Sequence, residues 1–166
     1  MTKGDSWRGA IVRTVAIACM LLFLPLLVAL LLVALLVRAV WSLCLHLAIW
    51  SWWCSRGCDV LFVYSDSPIW HDYIETNLLP HIRRRAVILN WSQRRNWRLS
   101  LAHIAFGHFG GGEEFNPLAV VFRPFRSTRT FRFWRAFREF KHGKPEALLT
   151  VQQAFFDAIG IPLEKS

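Results

Sequence analysis

The sequence predicts an N-terminal transmembrane helix followed by a small α/β domain. An uncharged run over 14–37 precedes a stretch of ordinary globular composition, in which short apolar runs alternate with helical patterns. No cysteine lies beyond Cys58, so a hydrophobic core rather than a disulfide framework must hold the domain. The predicted parts are a basic tail over 1–13, the helix over 14–37, a tryptophan-rich interfacial helix or linker over 38–58, and the α/β domain over 59–166.

The uncharged run is long enough to cross a bilayer. Its 24 residues form about 36 Å of helix, against roughly 30 Å of hydrocarbon core. Pro25 lies inside the run, where a kink is tolerated in lipid. A cleaved signal peptide has a shorter apolar region and a small-residue cleavage site, and this run has neither. The run therefore predicts an uncleaved anchor in the cell membrane, of the bacterial inner-membrane type.

The segment after the run is apolar but rich in tryptophan, which favours the membrane–water interface. We interpret 38–58 as a helix that leaves the bilayer and lies partly among the headgroups, which makes the protein single-pass. A second span would need a tight turn near Arg38, where no Gly, Pro or Asn occurs, and this hairpin stays open as the alternative. Lys and Arg are nearly balanced at the two ends of the run. The free cysteines and the basic domain favour a cytoplasmic C-terminal domain.

The net charge is +9, and both the anchor region and the domain carry an excess of basic residues. A basic surface of this kind suits anionic lipid headgroups, nucleic acid or a phosphorylated small molecule. A solvated basic face without a partner is the plainer alternative.

The domain is predicted to alternate strands with helices. Strands are expected over 60–64, 86–89 and 118–122, and helices over 68–79, 99–109, 130–141 and 145–159. Alternation of this kind predicts βαβ units and a three-stranded parallel sheet with flanking helices, a small flavodoxin-like or half-Rossmann sandwich.

Polar side chains follow each predicted strand. In parallel sheets ligands bind beyond the carboxyl ends of the strands, so these residues would share one edge. The candidate ligand-binding residues are Ser65, Asp66, Ser67, Asn90, Ser92, Arg123 and Arg126. The N-terminus of the first helix would favour an anionic small molecule there, although ordinary helix capping explains the same serines and aspartate.

Specific catalytic signatures are absent from the sequence, which has no phosphate-binding loop, dinucleotide fingerprint or nucleophile elbow. His103 and His108 are five residues apart and do not share a helix face, and the adjacent carboxylates of Glu113 and Glu114 seldom act together. The sequence therefore predicts no metal and no cofactor, and it leaves open whether the protein is an enzyme.

Arginine recurs at every third position from 123 to 138, with an aromatic residue before most of these positions. Pro124 and the lack of companion spans argue against a voltage sensor. On the predicted helix 130–141 the candidate lipid-binding residues are Arg132, Arg135 and Arg138. A solvated face is the alternative, and single-stranded nucleic acid is the least favoured partner.

The function that we expect is a membrane-anchored binding or scaffolding module docked on anionic lipid. The alternative is an enzyme that acts on a nucleotide-like or phosphate-bearing ligand at the carboxyl edge of the strands.

Overall fold

A computed structural model of the chain describes residues 3–97, 100–111 and 116–161. Within α1, side chains are described from Val12 onward, except for Ala16 and Cys19. The chain divides into two compact units, 1–44 and 45–166. The predicted helix start at Leu99, the third glycine of the predicted stop at Gly112 and the Glu113–Glu114 pair lie outside the described residues.

Helix α1 begins at Lys3 and ends at Trp52. Its part up to Cys44 lies in the first unit, and its closing turns from Leu45 onward belong to the second unit. Its large apolar side chains are exposed, as at Leu22 (71%) and Leu30 (58%). In the part of the chain that the structure describes, α1 is the one helix long and apolar enough to cross a membrane, judged by length and composition. Pro25 lies inside the helix without ending it.

The second unit contains a four-stranded mixed sheet. The strands are β1 (Val60–Tyr64), β2 (Ala86–Asn90), β3 (Leu118–Val121) and β4 (Arg129–Arg132), in the spatial order β2-β1-β3-β4. β1 pairs with β2 in parallel, and β3 is antiparallel to both β1 and β4. The α/β class and the three predicted strands are confirmed.

The prediction of a three-stranded parallel sheet is wrong. The chain leaves β2 at the carboxyl edge of the parallel pair and starts β3 at that same edge, where Leu118 is paired with Val63. No crossover has carried the chain back to the amino edge, so β3 must run the other way. A fourth strand then pairs with β3 as a hairpin.

Helices cover both faces of the sheet. α2 (His71–Tyr73), a π-helical turn (Ile74–Leu78) and α3 (Leu79–Ile82) follow β1. After β2 come a 3₁₀ turn (Trp91–Asn96) and α4 (Leu101–Phe109), and after β4 come α5 (Trp134–Lys141) and α6 (Glu146–Ile159). The helical path continues through Pro80, which has no N–H to donate one turn back, and the π turn lies just before it.

The predicted helix 130–141 is shorter than expected because its first residues form β4. Arg129 and Thr130 are exposed there while Phe131 is buried, and the helix starts only at Trp134. Within α5, Ala136 and Phe137 are buried while Arg135 and Arg138 are exposed, so this shorter helix has a buried apolar side and arginines at its surface.

The core has two layers because all five residues of β1 are buried and alternate between the sheet faces. Val60, Phe62 and Tyr64 face a cluster that α5 and α6 complete, with Phe137 and Phe155 fully buried. Leu61 and Val63 face a second cluster, to which α4 contributes together with the closing turns of α1 and the residue after them. From the α1 side these are Leu45, Ile49 and Trp53.

Candidate functional site

The structure joins three of the five polar residues predicted at the carboxyl ends of β1 and β2, namely Asp66, Asn90 and Ser92. Asn90 Nδ2 donates to Asp66 Oδ1 at 2.7 Å, and the Asp66 backbone N–H donates to Ser92 Oγ at 3.0 Å. Asn90 Oδ1 also accepts from the Ser92 backbone N–H at 2.9 Å and so caps the 3₁₀ turn. These bonds join the ends of the two parallel strands into one polar cluster.

The two serines of the β1 loop bond locally. The Trp70 indole N–H lies 3.2 Å from the Ser65 carbonyl oxygen and 3.3 Å from its hydroxyl, and the Ser67 hydroxyl accepts from the Ile69 backbone N–H at 3.4 Å. Neither contact is a helix cap, because α2 begins at His71 and its N-cap residue, Trp70, has no side-chain capping bond.

His71 lies beside the cluster. Its Nδ1 is 3.6 Å from Asp66 Oδ1, too far for a hydrogen bond, and this buried nitrogen has no hydrogen-bond partner in the described structure. The imidazole stacks on Tyr64 with ring centroids 6.0 Å apart. Burial, followed by the 2.5 Å hydrogen bond to Glu75, raises the pKa of Tyr64 above its ordinary value, so the phenol stays protonated. A carboxylate beside an imidazole is a pairing suited to proton transfer.

Arg123 and Arg126 are not brought to this cluster. Because β3 is antiparallel to β1, its carboxyl end lies at the opposite edge, where the Phe122 N–H donates to the Asp59 carbonyl oxygen. The Arg123 guanidinium donates to the carbonyl oxygen of Ala158 near the end of α6. Arg123 also lines a groove of about 380 Å³. The candidate ligand-binding residues, predicted at one edge of the sheet, therefore lie at two opposite edges.

The opposite edge contains an ion pair that the sequence analysis missed. Arg85 holds the Asp59 carboxylate with Nε at 3.1 Å and Nη2 at 2.5 Å, and its Nη1 donates to the Ile159 carbonyl oxygen at 2.8 Å. The signal was the position of each residue directly before a predicted strand, since the parallel pairing of Val60 with Ala86 places the two preceding residues side by side.

The arginine series is divided among a loop, a strand and a helix. Arg132 on β4 is half-buried and donates to the Gly110 carbonyl oxygen at 2.7 Å. Arg138 on α5 lies over the Trp134 ring at 4.8 Å, and Arg135 on the same helix is exposed. Of the three predicted lipid-binding residues, Arg135 and Arg138 therefore present their charges at the surface of α5, while Arg132 also supports the end of α4.

The loop between β3 and β4 packs against the closing turns of α1. His46 Nε2 lies 2.8 Å from Thr128 Oγ1, and the ring centroids of Trp50 and Phe125 are 5.5 Å apart. Phe125 is 93% exposed and has a φ of 60°, in a turn closed by the Arg126 N–H and the Arg123 carbonyl oxygen. Phe125 is one of the aromatic residues that precede an arginine of the series, and its place directly after a proline was the visible signal of this turn.

Across residues 3–97, 100–111 and 116–161, no group of three or more His, Cys, Asp or Glu side chains is placed to hold a metal ion. Comparison with protein-family models, with curated proteins and with solved structures gives no match.

Proposed function

We propose that the protein is a single-pass membrane protein whose α/β domain is a binding or scaffolding module resting on anionic lipid headgroups. The observation that carries this proposal is where the chain enters the second unit. His46 bonds to Thr128, the residue directly before edge strand β4, and the basic series surrounds that point. The loop that contacts the first turn of the second unit is thus rich in arginine.

The anchor itself is supported by exposure. From Val12 to Val40 the large apolar side chains of α1 whose exposure is described lie in the open, and water is a poor solvent for such a surface. Seven residues, and so eight residue steps, separate Val37 from Leu45, so even an extended chain keeps the second unit within about 27 Å of the end of the uncharged run.

Arg129, Arg135 and Arg138 are exposed and can supply attraction to the headgroups. Each arginine near an anionic surface contributes about 1 kcal/mol, so three contribute a few kcal/mol, and salt weakens the effect. The anchor removes the entropic cost of bringing the domain to the bilayer, so this weak attraction is sufficient to set the orientation of the domain.

The anchor is tested first. The full-length protein is expected to stay with membranes after an alkaline carbonate wash, and its release into the supernatant would contradict the proposal. Leu30→Arg combined with Leu31→Arg is expected to block insertion, because each arginine near the centre of a span costs about 2.5–3.5 kcal/mol.

Lipid docking is tested by hydrogen exchange of the full chain in nanodiscs. Backbone amides of β4 and α5 are expected to exchange more slowly in anionic than in neutral nanodiscs, and high salt should remove the difference. Changing Arg129, Arg135 and Arg138 to Gln should also remove it; Arg132 is left intact because it bonds to Gly110.

The matched control changes Arg84, Arg94 and Arg95 to Gln, an equal loss of charge from exposed residues outside the arginine series. This control should keep the difference between the two nanodiscs. Equal exchange of the unmodified protein in both would leave the solvated basic face as the explanation of the arginines.

The orientation that we propose is a cytoplasmic C-terminal domain. A reporter active only in the cytoplasm should work when fused to the C-terminus, and one active only in the periplasm should stay silent. The reverse pattern would place the domain outside the cell.

A second candidate function is an enzyme acting on a nucleotide-like or phosphate-bearing ligand at the carboxyl edge of β1 and β2. The observation that favours it is the His71 Nδ1 atom, which is buried without a hydrogen bond beside Asp66. The loss of Arg123 and Arg126 from this edge removes two cations that would hold a phosphate. A nucleotide panel that raises the melting temperature of the full chain, but not that of an Asp66→Asn variant, would favour this candidate.

A further inference from the structure

The turn that carries Phe125 combines two unfavourable features. Its φ of 60° lies in the left-handed region, which a phenylalanine rarely adopts and which glycine or asparagine occupies readily. Its ring is 93% exposed, so burial in the domain core does not offset the strained backbone. Strain of this kind at an exposed apolar residue points to a role outside the fold itself.

The Trp50 side chain next to that ring has a polar atom without a hydrogen bond. The Trp50 indole Nε1 is buried and has no hydrogen-bond partner in the described structure, and Phe125 packs at 5.5 Å from the Trp50 ring. Leu47, one turn earlier on the same side of α1, is 52% exposed. Two exposed apolar side chains, Leu47 and Phe125, flank the Trp50 ring, and indole rings favour the membrane–water interface.

The charge around the turn selects the kind of surface. The loop from Phe122 to Thr128 contains Arg123 and Arg126 and no acidic residue, and Arg126 is exposed. An apolar tip beside an exposed arginine is complementary to an anionic bilayer, because the ring enters the acyl boundary while the Arg126 guanidinium meets phosphates.

We infer that Leu47, Trp50, Phe125 and Arg126, named here the Phe125 patch, form the surface that contacts the anionic bilayer, with the Phe125 ring inserted below the headgroups. This inference rests on the proposed function, since the anchor must first hold the domain at a membrane. It goes further by placing the contact on the β3–β4 loop and the closing turns of α1, in addition to the surface of α5.

The experiment measures the depth of single spin labels in the full chain, reconstituted in vesicles of mixed anionic and neutral lipid. The labels are attached through an unnatural ketone amino acid, so that the native cysteines stay in place. A label at 125 is expected about 5–10 Å inside the headgroup boundary, more accessible to oxygen than to a water-soluble nickel chelate. A label at Leu149, which is 56% exposed on α6, is the matched control and should show the reverse accessibility.

A third label at Leu30 tests the membrane anchor separately from the Phe125 patch. If Leu30 lies in the hydrocarbon core and position 125 is as accessible to the chelate as position 149, the inference about the Phe125 patch is overturned and the anchor stands. If Leu30 is itself in water, the anchor is overturned too.

A variant tests the phenyl ring while keeping the backbone conformation. Phe125→Asn retains a residue that tolerates positive φ, so the domain should fold as before, with an unchanged or higher melting temperature. A label at Ser127 should then move from the headgroup boundary into water. An unchanged depth at Ser127 would show that the ring does not hold the loop at the membrane.

Discussion

Phe137→Ala is expected to destabilise the second unit strongly. Phe137 has no solvent exposure, and its ring centroid lies 5.5 Å from that of Tyr73 and 6.1 Å from that of Trp70. Removing a fully buried phenyl ring loses its transfer free energy and leaves a cavity, which together cost about 3–5 kcal/mol. Phe140, one turn later on α5, is 38% exposed, so Phe140→Ala should cost only about 1–2 kcal/mol.

Both variants are measured by urea unfolding of the full chain in a nonionic detergent, followed by near-ultraviolet circular dichroism. The urea concentration at the unfolding midpoint should fall. The slope of the unfolding free energy against urea concentration should stay constant, since the surface exposed on unfolding is nearly the same. A loss below about 1.5 kcal/mol for Phe137→Ala, or equal losses for the two variants, would refute the orientation of α5.

Three further predictions concern the tyrosines and the two edges of the sheet. Burial raises the pKa values of Tyr64 and Tyr73, so the folded chain should show less tyrosinate absorbance above pH 10 than the chain unfolded in urea. For the same reason the unfolding free energy should fall as pH rises above 10. Identical absorbance titrations of the folded and unfolded chains would contradict the burial. Arg85→Met should lower the unfolding free energy by roughly 1.5–3 kcal/mol, less than for a fully buried pair because both side chains are partly exposed, and adding Asp59→Asn should recover part of it. Asn90→Ala should cost roughly 1 kcal/mol through the lost cap, with a thermal shift as the measurement and no change as the contrary result.

The positions of the strands and helices could be predicted from the sequence because apolar runs, turn residues and helix-capping residues are local signals. The run Val60–Tyr64 was predicted with the bounds that β1 has, and Ser100 caps α4 close to the predicted start. The polar cluster at the ends of β1 and β2 followed from the same logic, since it requires only that two neighbouring strands be parallel.

Strand direction could not be read in this way. A strand buried on both faces, such as β3, has the same apolar pattern in either direction, so the antiparallel pairing that moved Arg123 to the other edge left no local signal. β4 was missed because its four residues are too few for a clear alternation and the three-residue arginine repeat continues through them. The turn at Phe125 was not predicted because a positive φ is fixed by the turn between two paired strands rather than by the residue type.

The three α1-side residues in the core have a consequence for how the domain can be handled. Leu45, Ile49 and Trp53 cover Leu61 and Val63 on one face of the sheet. A protease that cuts in the 54–58 turn would free a chain without that cover, and the exposed face would promote aggregation. The domain cannot be shed from its helix as an intact soluble fragment, nor moved onto a different anchor by fusion after that turn. Any recombinant form must therefore begin before Leu45.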